Sequence, residues 1–289
     1  MIAMIADLRI TVLSENTVRG IDLLGEHGLA FWIEADGRRI LFDTGQGKVL
    51  RHNAEHLDIP LDTAEKVVIS HGHFDHTGGL RDMLNLGGKF DLYMHPAALE
   101  EKYHREKTPP HRGIGIAELD EQTLRGRAQS VTLTREPIQL MEGIHLTGEI
   151  PRRNDFEDTG GPFYLDEACT EADPLLDDQA LYIETPAGLV VVLGCAHSGV
   201  VNTLDYIAEL TGRAPVYAVL GGMHLVRATA QRLDATVASL KRYDVQKVGA
   251  AHCTGMRAAS YLWSQLSGKC FECSVGSVFT VENGTGDVH

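Results

Sequence analysis

An α/β (α+β) architecture, in which sheets are covered on the outside by helices, is what the sequence predicts on three observations. Short apolar runs bounded by turn residues alternate with longer helical patterns. Several runs are rich in Val, Ile and Leu for most of their length (LVVVLG, VYAVLGG), as in strands covered on both faces. Early strands follow one another as hairpins, whereas later strands are joined by helices.

Taken in order, the first half predicts strands at Leu8–Leu13, Leu29–Glu34, Arg39–Phe42 and Lys66–Ser70. Further strands are expected at Phe90–His95, Ile138–Met141, Leu181–Glu184, Leu189–Gly194, Val216–Leu220, Lys247–Ala251 and Ser277–Val281. Helices are expected at Gly47–Leu57, Gly79–Leu86, Ala97–Arg105, Val200–Leu210, Thr229–Tyr243 and Met256–Leu266. In the fourth of these, Val201, Leu204, Ile207 and Leu210 mark one helical face.

At 289 residues, with 43% hydrophobic and 23% charged, the chain suits one large globular domain over 1–289 and none of the disordered, coiled-coil or collagen-like classes. No repeat at solenoid spacing interrupts it. A formal charge of −14 repels phosphate backbones and anionic membranes, so nucleic acid and membrane surfaces are not expected partners. No stretch approaches the roughly 18 apolar residues of a membrane span. The start, MIAMIADLRI, has no basic region and meets Asp7 early, unlike a secretory signal. Five sparse cysteines suit a reducing compartment, and a cytoplasmic location is expected.

Chemistry concentrates in Ser70–Gly79, SHGHFDHTGG. His71, His73, Asp75 and His76 fall within six residues, directly after the apolar run KVVI. On extended backbone His71 and His73 point the same way, and a turn carries Asp75 and His76 to the other side of a shared cavity. One loop can thus serve two adjacent metal ions. Imidazole and carboxylate suit zinc, with iron or manganese as alternatives. Further ligands must come from elsewhere, and three later apolar runs end in histidine: LVVVLGCAH in His197, VYAVLGGMH in His224 and KVGAAH in His252. Asp43 closes a fourth run (ILFDTG), either as a turn carboxylate or as the acceptor that orients a ligand histidine.

HGHFDH in this context resembles the His-x-His-x-Asp-His signature of the metallo-β-lactamase superfamily, with LFDTG upstream and the strand-end histidines downstream in that family's order. The resemblance spans Asp43 to His252. It implies an αββα sandwich of two mixed sheets with helices outside. More narrowly, GCAHSGVVNTL, GGMHL, AHCTG and TGEIPR look like the 7,8-dihydropterin-6-ylmethyl-4-(β-D-ribofuranosyl)aminobenzene 5′-phosphate synthase-like subfamily. The superfamily usually carries a histidine after the signature, then a metal-bridging aspartate, then a last histidine. Here His197 stands where that aspartate would often be, and His145 or Glu149 lies nearer the place of the earlier histidine. The expected sites are His71, His73 and His197 at one and Asp75, His76 and His252 at the other, with His224 as a ligand or a donor to substrate.

Three functions follow. In the first, a hydrolase acts on an ester or phosphoester of a small, anionic substrate. Metal lowers the pKa of bound water from 15.7 to about 7, Asp75 orients the hydroxide and carries its proton, and His224 donates to the developing oxyanion. In the second, suggested by the subfamily, a transferase joins a dihydropterin diphosphate to an aminobenzene riboside phosphate. Arg152 and Arg153, after TGEIP, are then the basic residues for the phosphate, with Glu149 beside them. In the third, the centre is a mononuclear redox site or a non-catalytic binder, and Cys195 and Cys253, ordinarily small buried hydrophobes, reach the metal.

Other features read as structural: His95 at a strand end and the lone CxxC of Cys270 and Cys273. Residues 96–135 exceed what a minimal sandwich needs and are expected to form a lid or a contact in a homo-oligomer. Between Asn154 and Asp178 stand nine acids and no Lys or Arg, expected as a solvated loop or as a flap over the site.

Overall fold

The apolar runs near the start of the chain fold back on one another through a two-residue turn. Asp36 and Gly37, both left-handed at φ 47° and 78°, join β2 (Ala30–Ala35) to β3 (Arg38–Phe42). That is the backbone a twisted hairpin demands, and an Asp-Gly pair supplies it. The computed structural model of the protein describes residues 4–87, 89–282 and 284–289.

The hairpin belongs to an eight-stranded mixed sheet that also contains β1 (Asp7–Ser14), β4 (Lys66–Val68) and β5 (Asp91–Met94). Beyond β5, two short strands, β6 (Tyr103–His104) and β7 (Arg112–Gly113), lie apart from this sheet, and β8 (Ser130–Leu133) returns to its edge. A second sheet collects β9 (Ile138–Met141), β10 (Ile144–Leu146), β12 (Ala180–Thr185), β13 (Gly188–Leu193), β14 (Val216–Gly222) and β15 (Lys247–Ala251). The strand β11 (Phe163–Tyr164) pairs with β6 and β7 in a small third sheet. The chain ends on β16 (Val278–Glu282) and β17 (Thr285–Val288), giving the first sheet the order β17-β16-β1-β2-β3-β4-β5-β8 and the second β15-β14-β13-β12-β10-β9.

Helices cover the outer faces. α1 (Leu50–His56), α3 (Leu80–Asn85) and α4 (Glu121–Arg127) pack Leu50, Met83 and Leu124 with Trp32 and Leu92 on the first sheet. The one-turn helix α2 (Phe74–Thr77) sits in the signature loop. α5 (Val200–Leu210), α6 (Ala230–Arg242) and α7 (Met256–Gln265) pack Leu204, Leu233 and Leu262 on the second. Between the sheets lies a third core, where Ile10, Phe31 and Phe42 meet Leu181, Val190 and Leu220. The layers are therefore helix, sheet, sheet, helix, as expected.

Ala97–Arg105 is not the expected helix. Pro96 opens a single 3-10 turn, Pro96–Leu99, and Tyr103 and His104 are then drawn into strand pairing with Tyr164 and Phe163. The stretch 96–135 is likewise not wholly outside the sandwich. Ser130–Leu133 pairs in parallel with Asp91–Met94 as the edge of the first sheet, and Leu124 is fully buried beneath it.

Candidate metal centre

Ligand-type side chains gather where parallel strands end. β3 and β4 run parallel, as do β13, β14 and β15. Their carboxyl ends deliver Asp43, His71, Cys195, His224 and His252 to one edge of the sandwich, the usual location of ligands in open sheets of this kind. The backbone there is bent sharply. Asp43, Ala196, His224 and His252 are left-handed, at φ 59°, 52°, 44° and 50°. Such conformations cost about 1–3 kcal/mol each in a non-glycine residue, and they turn successive strands toward one cavity.

Two neighbouring clusters form. His71, His73 and His197 make one, with His71 Nε2 and His73 Nδ1 3.0 Å apart. In the other, Asp75 Oδ2 lies 3.3 Å from His252 Nε2 and 3.1 Å from His27 Nε2. Cys195 stands between them. Its sulfur is 3.2 Å from His76 Nε2 and within ligand-sharing reach of His71, of His197 and His224, and of His252 and Cys253.

The outer nitrogens are held by the protein. His71 Nδ1 meets Ser70 Oγ at 2.9 Å and His76 Nδ1 meets Asp43 Oδ2 at 2.7 Å. His197 Nδ1 donates to the Thr159 carbonyl at 2.7 Å, and His252 Nδ1 meets Asn16 Oδ1 at 2.8 Å. Two inner nitrogens are orphaned: Nε2 of His73 and of His197 are buried without a hydrogen-bond partner among the described residues, while His252 Nε2 faces Asp75. Engaged outer atoms and empty inner ones are what metal-binding histidines require. With a carboxylate and a thiol added, the donor set fits zinc and tolerates iron.

Burial pushes His73 down to about 3 and holds His71 and His197 well below the ordinary imidazole range, so these rings are neutral and free to ligate. Burial would lower His76 too, but the adjacent Asp43 carboxylate outweighs it and lifts the ring to about 9. Burial raises Asp75, yet its bonds to His252 and His27 win and keep it ionised. For Cys253, burial opposes ionisation but hydrogen bonds from Cys195 and His224 bring it well below the usual thiol range.

Above the clusters opens a pocket of about 310 Å³. The rings of Phe74 and Phe163 form its walls, with Phe163 5.0 Å from His73, and His27, His104 and Arg112 border it. His224 also faces it, 4.3 Å from the His197 ring, with Nδ1 buried and unpartnered.

Of the residues singled out from sequence, the structure brings together His71, His73, Asp75, His76, His197, His224 and His252, with Asp43 directly behind. Asp43 is fully buried and also accepts from Ser70 N and Ser70 Oγ, both at 2.7 Å. Three expectations change. Arg152 does not line the pocket, because its guanidinium is taken up by backbone carbonyls, His197 O at 2.6 Å among them. Arg153 pairs with Glu209 at the surface. Glu149 faces His95 and Arg135, each at 3.6 Å, and His145 stacks on Tyr182, so neither reaches the centre. Sequence reasoning missed His27 and Asn16, which sit in loops without a motif. Cys195, which the redox reading brought to the metal, ends the run LVVVLGC two residues past β13.

Five of the nine acids of the acidic stretch meet solvent, and four turn inward. Glu157, Asp173, Asp177 and Asp178 are buried. Glu157 accepts from Val201 N and Asn202 N at 2.9 Å each, capping the start of α5 just after His197. Lys102 Nζ reaches Asp173 at 2.8 Å and Asp177 at 3.1 Å, and Asp177 in turn accepts from Gly72 N at 2.7 Å, inside the HGH motif. Asp178 accepts from Ser198 N at 2.8 Å, and burial raises it to about 6. The stretch therefore braces the ligand loops from above.

Residues 24–201 match the family model of the metallo-beta-lactamase superfamily. The chain is 33% identical over 253 residues to a 7,8-dihydropterin-6-methyl-4-(beta-D-ribofuranosyl)-aminobenzene-5′-phosphate synthase of Methanocaldococcus jannaschii, covering 83% of this chain and 85% of the relative. A solved metal-dependent hydrolase of the beta-lactamase superfamily is similar at 30% identity and TM-score 0.79, over 94% of this chain and 98% of that one. The Bacillus subtilis metallo-beta-lactamase fold protein YhfI, at 11% identity, TM-score 0.58 and coverage of 95% and 99%, shares the fold. By its matched family model, its relatives and its layered architecture, this chain belongs to the metallo-beta-lactamase superfamily.

Proposed function

We propose that the protein is a metal-dependent hydrolase that cleaves an ester or phosphoester of a small anionic substrate at the His/Asp/Cys cluster. The observation that carries this reading is the convergence of two buried, unpartnered imidazole nitrogens, on His73 and His197, with Asp75, His252 and Cys195 at the floor of an open pocket. His71, His73 and His197 would hold one ion, Asp75, His76 and His252 a second, and Cys195 would lie between them. When bound, a zinc-like ion polarises the scissile group and brings water within reach of ionisation near neutral pH.

The chain's own residues supply the rest. Asp75, kept ionised by His252 and His27, accepts the proton of the attacking water. As the bond from the carbonyl or phosphoryl centre to the leaving oxygen breaks, His224 donates a hydrogen bond to the charge that develops. Phe74 and Phe163 give the pocket an apolar wall for the substrate's organic part. Protein purified without chelator or affinity-tag metal is expected to carry one to two equivalents of metal and to hydrolyse model phosphoesters or esters. Asp75→Asn should lower turnover about 10²- to 10⁴-fold while metal remains. Unchanged turnover in that variant would refute the role of Asp75, and protein that takes up no metal would refute the reading as a whole.

A second reading is favoured by the 33% identity to the synthase over most of both chains. Here an aromatic acceptor replaces water, diphosphate leaves a dihydropterin, and Phe163 offers a flat apolar face beside the cluster. Diphosphate release that requires the aminobenzene riboside phosphate, with no release to water, would decide for transfer.

A further inference from the structure

Behind His224 the main pocket continues into a smaller cavity of about 240 Å³, lined by Asp158, Arg227 and Arg232 and sharing Gly160, Gly161 and His224 with the main one. Arg232 sits in the first turn of α6, a 13-residue helix whose positive end adds to its charge. The residue is 3% exposed. A guanidinium so deeply buried normally has its donors satisfied. Here one nitrogen is engaged: Nη1 donates to Asp158 Oδ1 at 2.6 Å and to the Asp158 carbonyl at 3.3 Å. Nε and Nη2, the two donors of one edge of the planar fork, are buried and have no partner among the described residues. That edge is the one that grips a carboxylate or phosphate through two parallel hydrogen bonds.

The counter-charge is unusual in its turn. The Asp158 side chain is 82% exposed although its partner is buried, and it comes from the acidic stretch rather than from the helix layer. Arg227, exposed on the same cavity, makes no ion pair among the described residues. The neighbouring Thr159 carbonyl holds His197, and Gly160, at φ 87°, lies against the His224 ring so closely that a Cβ there would fall 1.8 Å from its Cδ2. The segment Asp158–Gly161 thus covers the arginine and touches two residues of the metal centre at once.

We propose that Arg232 and Arg227 form a phosphate subsite beside the metal centre, in which Asp158 holds the place of a substrate's phosphate until that phosphate displaces it. The inference rests on the catalytic reading of the metal cluster and adds to it where the anionic end of the substrate is held. The reacting bond then lies over the cluster, on the near side of His224, and the phosphate on the far side. Arg152, occupied by backbone carbonyls, does not supply this charge.

Titration calorimetry on the full-length, metal-assayed protein tests this, with inorganic phosphate and phenylphosphonate as probes. Phenylphosphonate carries a similar dianion on an organic body and resists hydrolysis. Arg232→Gln should weaken binding of both about 10- to 100-fold, the loss expected for charge-assisted hydrogen bonds. Asp158→Asn, which removes the internal competitor from an exposed side chain, should tighten both. Weakening by both substitutions would make the pair a structural tether and overturn the proposal. Binding unaffected by either, as from phosphate on the metal alone, would overturn it too, as would a site that takes phosphate but refuses phenylphosphonate. If Arg232→Gln does not fold, the direction of the Asp158→Asn change decides. Arg232-dependent binding in protein that holds no metal would leave the subsite standing and remove the hydrolase reading instead.

Discussion

Replacing Lys102 by methionine tests how the acidic stretch is held against the ligand loop. The ammonium is buried between Asp173 and Asp177 at 2.8 and 3.1 Å, with their side chains at most 3% exposed. Methionine fills most of the volume but leaves two carboxylates without a cation. Each keeps a backbone donor, Leu175 N for Asp173 and Gly72 N for Asp177, both at 2.7 Å, so neither is stripped bare. Removing one partner of a buried ion pair costs about 3–5 kcal/mol. Against a total stability on the order of 5–15 kcal/mol that is a large share, and it corresponds to a fall in Tm on the order of 10 °C. Urea denaturation at several pH values reads it. In the native protein burial raises Asp177 but Lys102 outweighs it, so its carboxyl lies below the ordinary value. Its contribution is therefore present above about pH 4 and is lost as pH falls further. Without Lys102 the Gly72 N–H is left to oppose burial, so the folded-state pKa of Asp177 rises and the variant should regain stability on acidification from neutral pH. A loss below about 1 kcal/mol, or an unchanged direction of the pH dependence, would refute the argument.

Three other outcomes are expected. Asp43→Asn should lower metal affinity about 10- to 100-fold, measured by competition with a chromophoric chelator, because the carboxylate orients His76 and Ser70 together. Cys195→Ser should abolish the sulfur-to-metal charge-transfer absorption of the cobalt-loaded protein, and a spectrum that persists would remove Cys195 from the coordination sphere. Gly72→Ala should destabilise the fold by about 1–3 kcal/mol and lower metal content, since its Cβ would fall 2.3 Å from the Ala98 carbonyl oxygen, a backbone atom that cannot rotate away.

The long apolar runs were readable because strands of the two inner layers are covered on both faces, as LVVVLG in β13 illustrates. Short strands were not. Phe163–Tyr164, Tyr103–His104 and Thr285–Val288 carry no periodicity of their own and exist only by pairing. The histidines of the site were legible for the same reason as the strands, each following an apolar run that fixes its position. What escaped was partnership across long sequence separation. Nothing near Asp173 or Asp177 announces that Lys102, 71 and 75 residues away, will neutralise them. Nothing near Arg152 says that backbone carbonyls will claim it. In the same way His27 and Asn16 are placed by the loops that close over β1 and β2, not by any local pattern.

Because His71, His73, Asp75 and His76 hang from the first sheet, and Cys195, His197 and His252 from the second, any ion bound among them cross-links the two halves of the sandwich. Such an ion is a folding ligand as well as a reactant. It favours the native state by RT ln(1 + [M]/Kd), about 4 kcal/mol at a thousandfold excess over Kd. Chelation would therefore loosen the seam between the sheets, and the melting temperature of this protein would report the free metal concentration around it.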